Sequence, residues 1–244
     1  MTAPIVLIVG AGDYIGAAIA RRFAQGGFVV CLARRNGDKL TDLVDEIAAS
    51  GGVAYKFAMD ARDEEQTADL FKTIERDTGA LALVVGDVGG NVHFPILETT
   101  SRVFRKVWEM ACFAGFLTGR EAARYMVPRG RGKVFFTGAS ASLRGKSGYS
   151  AFAAGKAGLR MVAQSMAREL GPQNIHVAHL IIDAAVDTDF IRERFKAQGK
   201  DPDRLPEDSL MNPSSVAEAY WSLYHQRKDG WSHQLDLRPF SETW

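Results

Sequence analysis

Short apolar runs rich in β-branched residues recur along the chain at Ile5–Val9, Val29–Ala33, Val53–Ala58, Leu81–Val85, Val134–Thr137 and Val177–Ile182. Between them, apolar positions fall at helical spacing over Tyr14–Gln25, Asp38–Ala49, Glu64–Asp77, Thr100–Val127, Ser150–Leu170 and Ser214–His225. Short buried strands alternating with amphipathic helices predict a parallel sheet, because each crossover returns the chain to the same end of the sheet and lays a helix on one face. The expected fold class is α/β, a doubly wound parallel sheet with helices on both faces, in a single domain over residues 1–244. His233–Leu237 is expected to add an edge strand before an irregular tail.

Residues 189–213 break this pattern. They are polar, carry Pro202, Pro206 and Pro213, and contain one short stretch of helical character, "FIRERFKAQG". A segment that follows the last buried parallel strand lies over the carboxyl ends of the strands, where such sheets bind ligands, so a substrate lid is expected; an ordinary solvated loop is the alternative.

Composition narrows the class of partner. The 244 residues are 46% hydrophobic and 24% charged, and 30 basic against 29 acidic residues leave a net charge of +1 without any long basic run. No electrostatic footprint for nucleic acid is present, so a small-molecule partner is expected. Cys31 and Cys112 sit in apolar segments and match no zinc or redox spacing, which reads as reduced core thiols. The start has no basic leader, and no window approaches the ~20 apolar residues that a membrane span needs. A cytoplasmic protein is expected.

The opening "IVLIVGAGDYIGAAIARRF" places Gly10, Gly12 and Gly16 between a strand and a helix. Glycines permit a tight turn and a close approach of backbone, and the helix N-terminus offers amides to a pyrophosphate. Tyr14 occupies a place where a further glycine could stand.

With the "GAGDYIG" loop in place of TGxxxGxG, "MDARD" at 59–63, "FFTGASAS" at 135–142, Lys156 in a long helix and "IIDAAVDT" at 181–188 where a PG-x-x-x-T turn is usual, the chain resembles the short-chain dehydrogenase/reductase family over nearly its whole length. The resemblance implies a Rossmann-type fold and a dinucleotide held by Gly10, Gly12, Tyr14, Ile15, Gly16, Asp60, Ala61, Gly89, Lys156 and Thr188. It implies that Asp60 accepts from the adenine amino group, that Lys156 holds the nicotinamide ribose and that Thr188 holds the carboxamide. Helix capping is the plain alternative for both Asp60 and Thr188.

The second strand ends "VVCLARRNGDKL", with Arg34 and Arg35 and no carboxylate at the strand end. Guanidinium groups favour a 2′-phosphate that an acid would repel, so NADP(H) is expected over NAD(H), unless the arginines are ordinary surface charges. Asp38 is expected to cap the next helix.

Family members usually pair the lysine with a tyrosine proton donor, a serine and an asparagine. At the matching positions this chain has Phe152, Ala139 and Ala111, while strand four ends in Gly86-Asp87 instead of two asparagines and Asp183-Ala184 stands in for Pro-Gly. Only Lys156 of the usual proton relay remains. Substitute groups are Tyr149, seven residues before Lys156 or about 10 Å along a helix, Ser140, His93, Asp183 or water. His176 and His179 read as structural. Two functions stay open: an NADP(H)-dependent oxidoreductase acting on a carbonyl or alcohol by a non-standard proton transfer, or a catalytically silent nucleotide-binding or scaffold protein.

Ala151, Ala154, Gly155 and Gly158, and on the preceding long helix Ala111, Gly115 and Gly119, form ridges of small residues. In the family these two helices build a dimer interface, so a homodimer or homotetramer is expected, unless the same glycines pack within the chain.

Overall fold

A computed structural model describes residues 3–242, so the first two and last two residues of the predicted domain and tail lie outside the described residues. The apolar runs become β1 (Ile5–Val9), β2 (Val29–Arg34), β3 (Val53–Ala58), β4 (Leu81–Gly86), β5 (Gly132–Ala139) and β6 (Ile175–Ile182), and the tail supplies β7 (Gln234–Leu237). They form one seven-stranded parallel sheet in the order β3-β2-β1-β4-β5-β6-β7. The order reverses between β1 and β4, and a crevice opens there beyond the carboxyl ends of the strands.

Alternation along β1 sorts the core into two layers. Val6 and Ile8 pack with Phe23 of α1 (Ile15–Gln25), Ile47 of α2 (Thr41–Ala49) and Tyr220 of α8 (Pro213–His225). Leu7 and Val9 face Phe71 of α3 (Glu64–Asp77), Ala122 of α5 (Ala114–Arg129) and Leu159 of α6 (Ser150–Leu170). Cys31 and Cys112 are free and buried, and burial pushes the Cys31 thiol up to about 12. No helix among the described residues is long and apolar enough to cross a membrane.

Several expectations need correction. β3 lies at the sheet edge with Val53 and Tyr55 exposed, so its apolar run does not mark a strand buried on both faces. Asp38 does not cap α2: Asn36 Oδ1 accepts from the Asp38 amide at 3.1 Å, a 3-10 turn over Gly37–Leu40 follows, and α2 starts at Thr41. The long helix is interrupted. It runs from α4 (Ser101–Trp108), capped by Thr100, through a π turn at Glu109–Phe113 into α5. The small-residue ridges are turned inward, since a Cβ on Gly155 would lie 2.7 Å from Ala111 Cβ and one on Gly115 would lie 2.4 Å from Leu159 Cδ1. These glycines bring α6 against α4 and α5 of the same chain. The outward surface of that layer carries Phe104, Trp108, Phe116 and Met161 instead.

Candidate functional site

The first turn gives each glycine a separate reason. Gly10 has φ +89°, its amide donates to Ala33 O at 2.9 Å, and a Cβ there would lie 2.8 Å from the Asp87 carbonyl carbon. Gly16 is fixed by packing, because a Cβ would meet Ala11 Cα at 2.8 Å. Gly12 has no steric requirement, since a Cβ would meet only Gly10 O at 3.9 Å, and it faces a crevice of about 500 Å³. No side chain caps the N-terminus of α1, which leaves its amides and dipole for an anion. Tyr14 and Ile15 do not line this crevice. The Tyr14 hydroxyl accepts the Asp189 amide at 3.0 Å, and Ile15 packs on the core.

At the end of β2, Arg34, Arg35 and Lys39 line the crevice. Arg34 pairs with Asp13 at 2.7 Å, whereas Arg35 and Lys39 have no ion pair among the described residues. Asp60 also lines it, beside Ala61. It is not the cap of α3, which is Asp63, whose Oδ1 accepts from the Gln66 amide at 3.0 Å. The Arg62 guanidinium holds the Asp60 carboxylate from 2.6 and 3.0 Å and lowers its pKa against the opposing effect of burial.

Further along, Gly89 opens onto the crevice and Lys156 is buried beside it, 3% exposed. Its Nζ donates to Thr137 O at 2.8 Å and Val88 O at 3.1 Å. Burial lowers the ammonium to about 8, with the Asp87 carboxylate opposing that shift. Asp87 is pushed up to about 6 by burial, offset in part by the Thr137 hydroxyl and by Lys156. The Thr137 hydroxyl also shares a hydrogen bond of 2.7 Å with Tyr220. Below this network His179 is buried with neither ring nitrogen partnered by the protein, and burial lowers it to about 3.

Phe152, Ala139 and Ala111, the positions expected to match the family's tyrosine, serine and asparagine, come together. Ala111 and Phe152 are buried in one apolar cluster with Val107 and Tyr149, against which Ala139 packs, and the π turn is centred on Ala111. Tyr149, just ahead of α6, is the polar atom source of that cluster: its hydroxyl accepts from Arg194 Nη2. His93 stands edge-on to the Tyr149 ring, 5.1 Å between centroids, and covers Gly148, which has φ +78° and where a Cβ would strike the imidazole at 2.1 Å.

Ser140 and Asp183 belong to a different group. Arg144 grips the buried Asp183 carboxylate from 2.7 and 3.0 Å, and Arg238 from 3.0 Å. Burial pushes this carboxyl up, but the Ser140 hydroxyl, Arg238 and Arg144 more than offset it and hold it below its ordinary value. A carboxylate so held has no proton to give near neutrality, which removes Asp183 from the candidate donors. Thr188 Oγ1 accepts from the Ile191 amide at 3.2 Å and caps α7 (Asp189–Ala197). Its hydroxyl proton is not used by that bond.

Lys39, Arg62, Asp87 and Arg194 were not singled out from the sequence as site residues. The signals were local: Lys39 follows Arg35 within one turn, Arg62 lies two residues after Asp60, and Arg194 lies in the polar segment expected to cover the site.

Comparison with known proteins agrees with this geometry. Residues 4–199 match the profile of the short chain dehydrogenase family. Among curated relatives, 2-dehydro-3-deoxy-D-gluconate 5-dehydrogenase of Formosa agariphila is 30% identical over 176 residues, which cover 71% of this chain and 66% of that protein. Gluconate 5-dehydrogenase of Gluconobacter oxydans is 27% identical over 171 residues, 70% of this chain and 67% of the other. These matches thus span about two thirds of the relatives' length. The crystal structure of a short-chain dehydrogenase from Rhodopseudomonas palustris is 50% identical and superposes with a TM-score of 0.83, covering 98% of this chain and all of that one.

Proposed function

This chain belongs to the short-chain dehydrogenase family, and we propose that it works as an NADP(H)-dependent oxidoreductase that interconverts a carbonyl compound and an alcohol. The observation that carries the reading is one crevice that runs from Arg35 and Lys39 past Gly10 and Gly12 to Val88 and Gly89, where the buried Lys156 donates to the Val88 carbonyl at 3.1 Å. The fit to a dinucleotide is physical: Gly10 sits where any Cβ would collide, the α1 N-terminus has no side-chain cap, and Arg35 and Lys39, which make no ion pair among the described residues, line the crevice at the end of β2. When bound, NADPH supplies a hydride to the carbonyl carbon, and the oxygen must then receive a proton.

Each residue has a task in this reading. The α1 amides take the pyrophosphate, Arg35 and Lys39 take the 2′-phosphate, and Asp60, aligned by Arg62, accepts from the adenine amino group. Lys156, fixed by two backbone carbonyls, donates to the nicotinamide ribose, and the Thr188 hydroxyl donates to the carboxamide. Tyr149 is the proton donor, with His93 at its ring edge. Residues 189–213 form a lid, tied to the first turn by Tyr14 and to the head of α6 by Arg194. A homodimer or homotetramer forms through the outer face of α4 and α5, where Phe104, Trp108 and Phe116 are exposed.

A second reading, a silent nucleotide-binding protein, is favoured by the apolar cluster of Ala111, Ala139 and Phe152. The two separate in one experiment: calorimetry with NADPH, then absorbance at 340 nm over a panel of carbonyl compounds. Turnover that Tyr149→Phe lowers by about 10²-fold or more supports the donor assignment. Tight binding without turnover supports the silent protein, and absence of nucleotide binding defeats both.

A further inference from the structure

The arginines of the lid are not alike. Arg192 is held by Asp187 at 2.5 and 2.9 Å and by Asp203 at 2.7 Å, and Arg204 is paired with Asp201 at 3.4 Å. Arg194 crosses from α7 to the head of α6, where Nη2 donates to the Tyr149 hydroxyl and the guanidinium carbon lies 5.6 Å from the ring centroid. No carboxylate pairs with it among the described residues; the neighbouring Glu193 is exposed and makes no ion pair.

That isolation is costly and specific. Arg194 is partly buried beside the apolar cluster of Tyr149, Phe152 and Ala111, where a cation without a counter-charge loses hydration and gains little in return. At the end of β6, by contrast, two arginines share the Asp183 carboxylate. A guanidinium has five N–H donors in a planar fork, and the neutral phenol occupies one of them. Beside the Tyr149 ring stands His93, and the turn before Tyr149 carries Lys146, whose carbonyl accepts the Tyr149 amide at 3.0 Å.

We propose that Arg194 recognises the substrate through a carboxylate, so that the substrate is an organic acid carrying the carbonyl or alcohol that reacts. The planar fork matches the two oxygens of a carboxylate, and its contact with Tyr149 brings that acid group to the side of the phenol. The assignment rests on the oxidoreductase reading above, and Arg194 acts in it as a specificity-determining residue.

The test uses the full chain loaded with NADPH. Benzoylformate, 4-oxopentanoate and 4-carboxybenzaldehyde are each compared with their methyl esters, by kcat/KM and by the dissociation constant read from NADPH fluorescence. The expected result is a preference of about tenfold or more for the acid over its ester in at least one pair. In Arg194→Gln the ratio of acid to ester falls toward one, and Arg194→Lys, which keeps the charge, retains an intermediate ratio. A protein that shows no preference for any acid over its ester, or an Arg194→Gln variant that loses acid and ester equally, overturns the proposal; in the second case Arg194 only closes the lid. Failure to bind NADPH itself defeats the underlying reading instead, and the fluorescence measurement separates the two.

Discussion

Of the two ends of the candidate site, the crevice framed by Gly10, Arg35 and Asp60 presents backbone amides and cations, whereas the cluster of Ala111, Ala139 and Phe152 is apolar. The first is made from three turns that each follow a strand, so its groups are placed by the sheet itself. The second takes all its polarity from its margin: Tyr149 and His93 from two loops and Arg194 from α7. In the proposed reading, binding chemistry is therefore built into the frame, and reaction chemistry rests on side chains that meet only when three separate segments are in place.

The change with the largest expected effect acts where the two ends join. Lys156→Met removes the ammonium from Thr137 O and Val88 O and from the proposed ribose contact, and a fall in kcat/KM of about 10²–10⁴-fold is expected in steady-state assays. An unchanged rate would mean that the nucleotide end alone positions the cofactor. Next, Asp183→Ala leaves Arg144 and Arg238 without their shared carboxylate. Because both guanidinia are partly solvated, the loss of stability in urea unfolding is expected at the low end for a broken buried pair, about 2–3 kcal/mol. If nucleotide affinity fell as much as stability, the separation of the Asp183 group from the nucleotide end would be wrong.

Smaller effects sharpen the nucleotide end. Arg35→Glu with Lys39→Glu is expected to weaken NADPH by about 10–100-fold while leaving NADH nearly unaffected, the loss of one or two charge-assisted phosphate contacts; equal losses would show that neither cation reads the 2′-phosphate. The smallest change concerns pH. His179 has an ordinary value of 6.5 and is lowered to about 3 by burial, so it stays neutral in the folded chain while the unfolded chain takes up a proton. Its contribution to stability is complete above pH 6.5 and is lost as pH falls through the window down to 3. Between pH 6 and 4.5, as round values inside that window, His179→Gln should flatten the slope of unfolding free energy by up to about 1.4 kcal/mol per pH unit.

The frame was legible because its signals are contiguous. β1 and the Gly10–Gly16 turn lie within one short stretch, and Arg34 and Arg35 end the next strand, so a local reading finds them. The parallel, doubly wound sheet with helices on both faces follows from the alternation of strands and helices. What local reading could not supply was pairing at a distance. Asp183 looked like a free acid near the site, yet Arg238, 55 residues later, and Arg144, 39 residues earlier, hold it. The ridge of Gly155, Gly158 and Gly115 had the right period for an interface, and period alone does not say which neighbour it meets. The π turn at Glu109–Phe113 left no mark either, because an extra residue in a helical turn changes the register without changing composition. Nor does spacing show that Arg62 would preoccupy Asp60 or that Arg194 would reach Tyr149.

One contact joins the two ends directly. The Tyr14 hydroxyl, on the turn that would cradle the pyrophosphate, accepts the first amide of α7, the helix that carries Arg194. In the proposed reading this contact couples the two ends, and thermodynamic reciprocity then requires that any tightening of the acid by the nucleotide be matched by an equal tightening of the nucleotide by the acid. The expected outcome is that the acid slows release of the nucleotide, and that Tyr14→Phe reduces this slowing in nucleotide-release measurements.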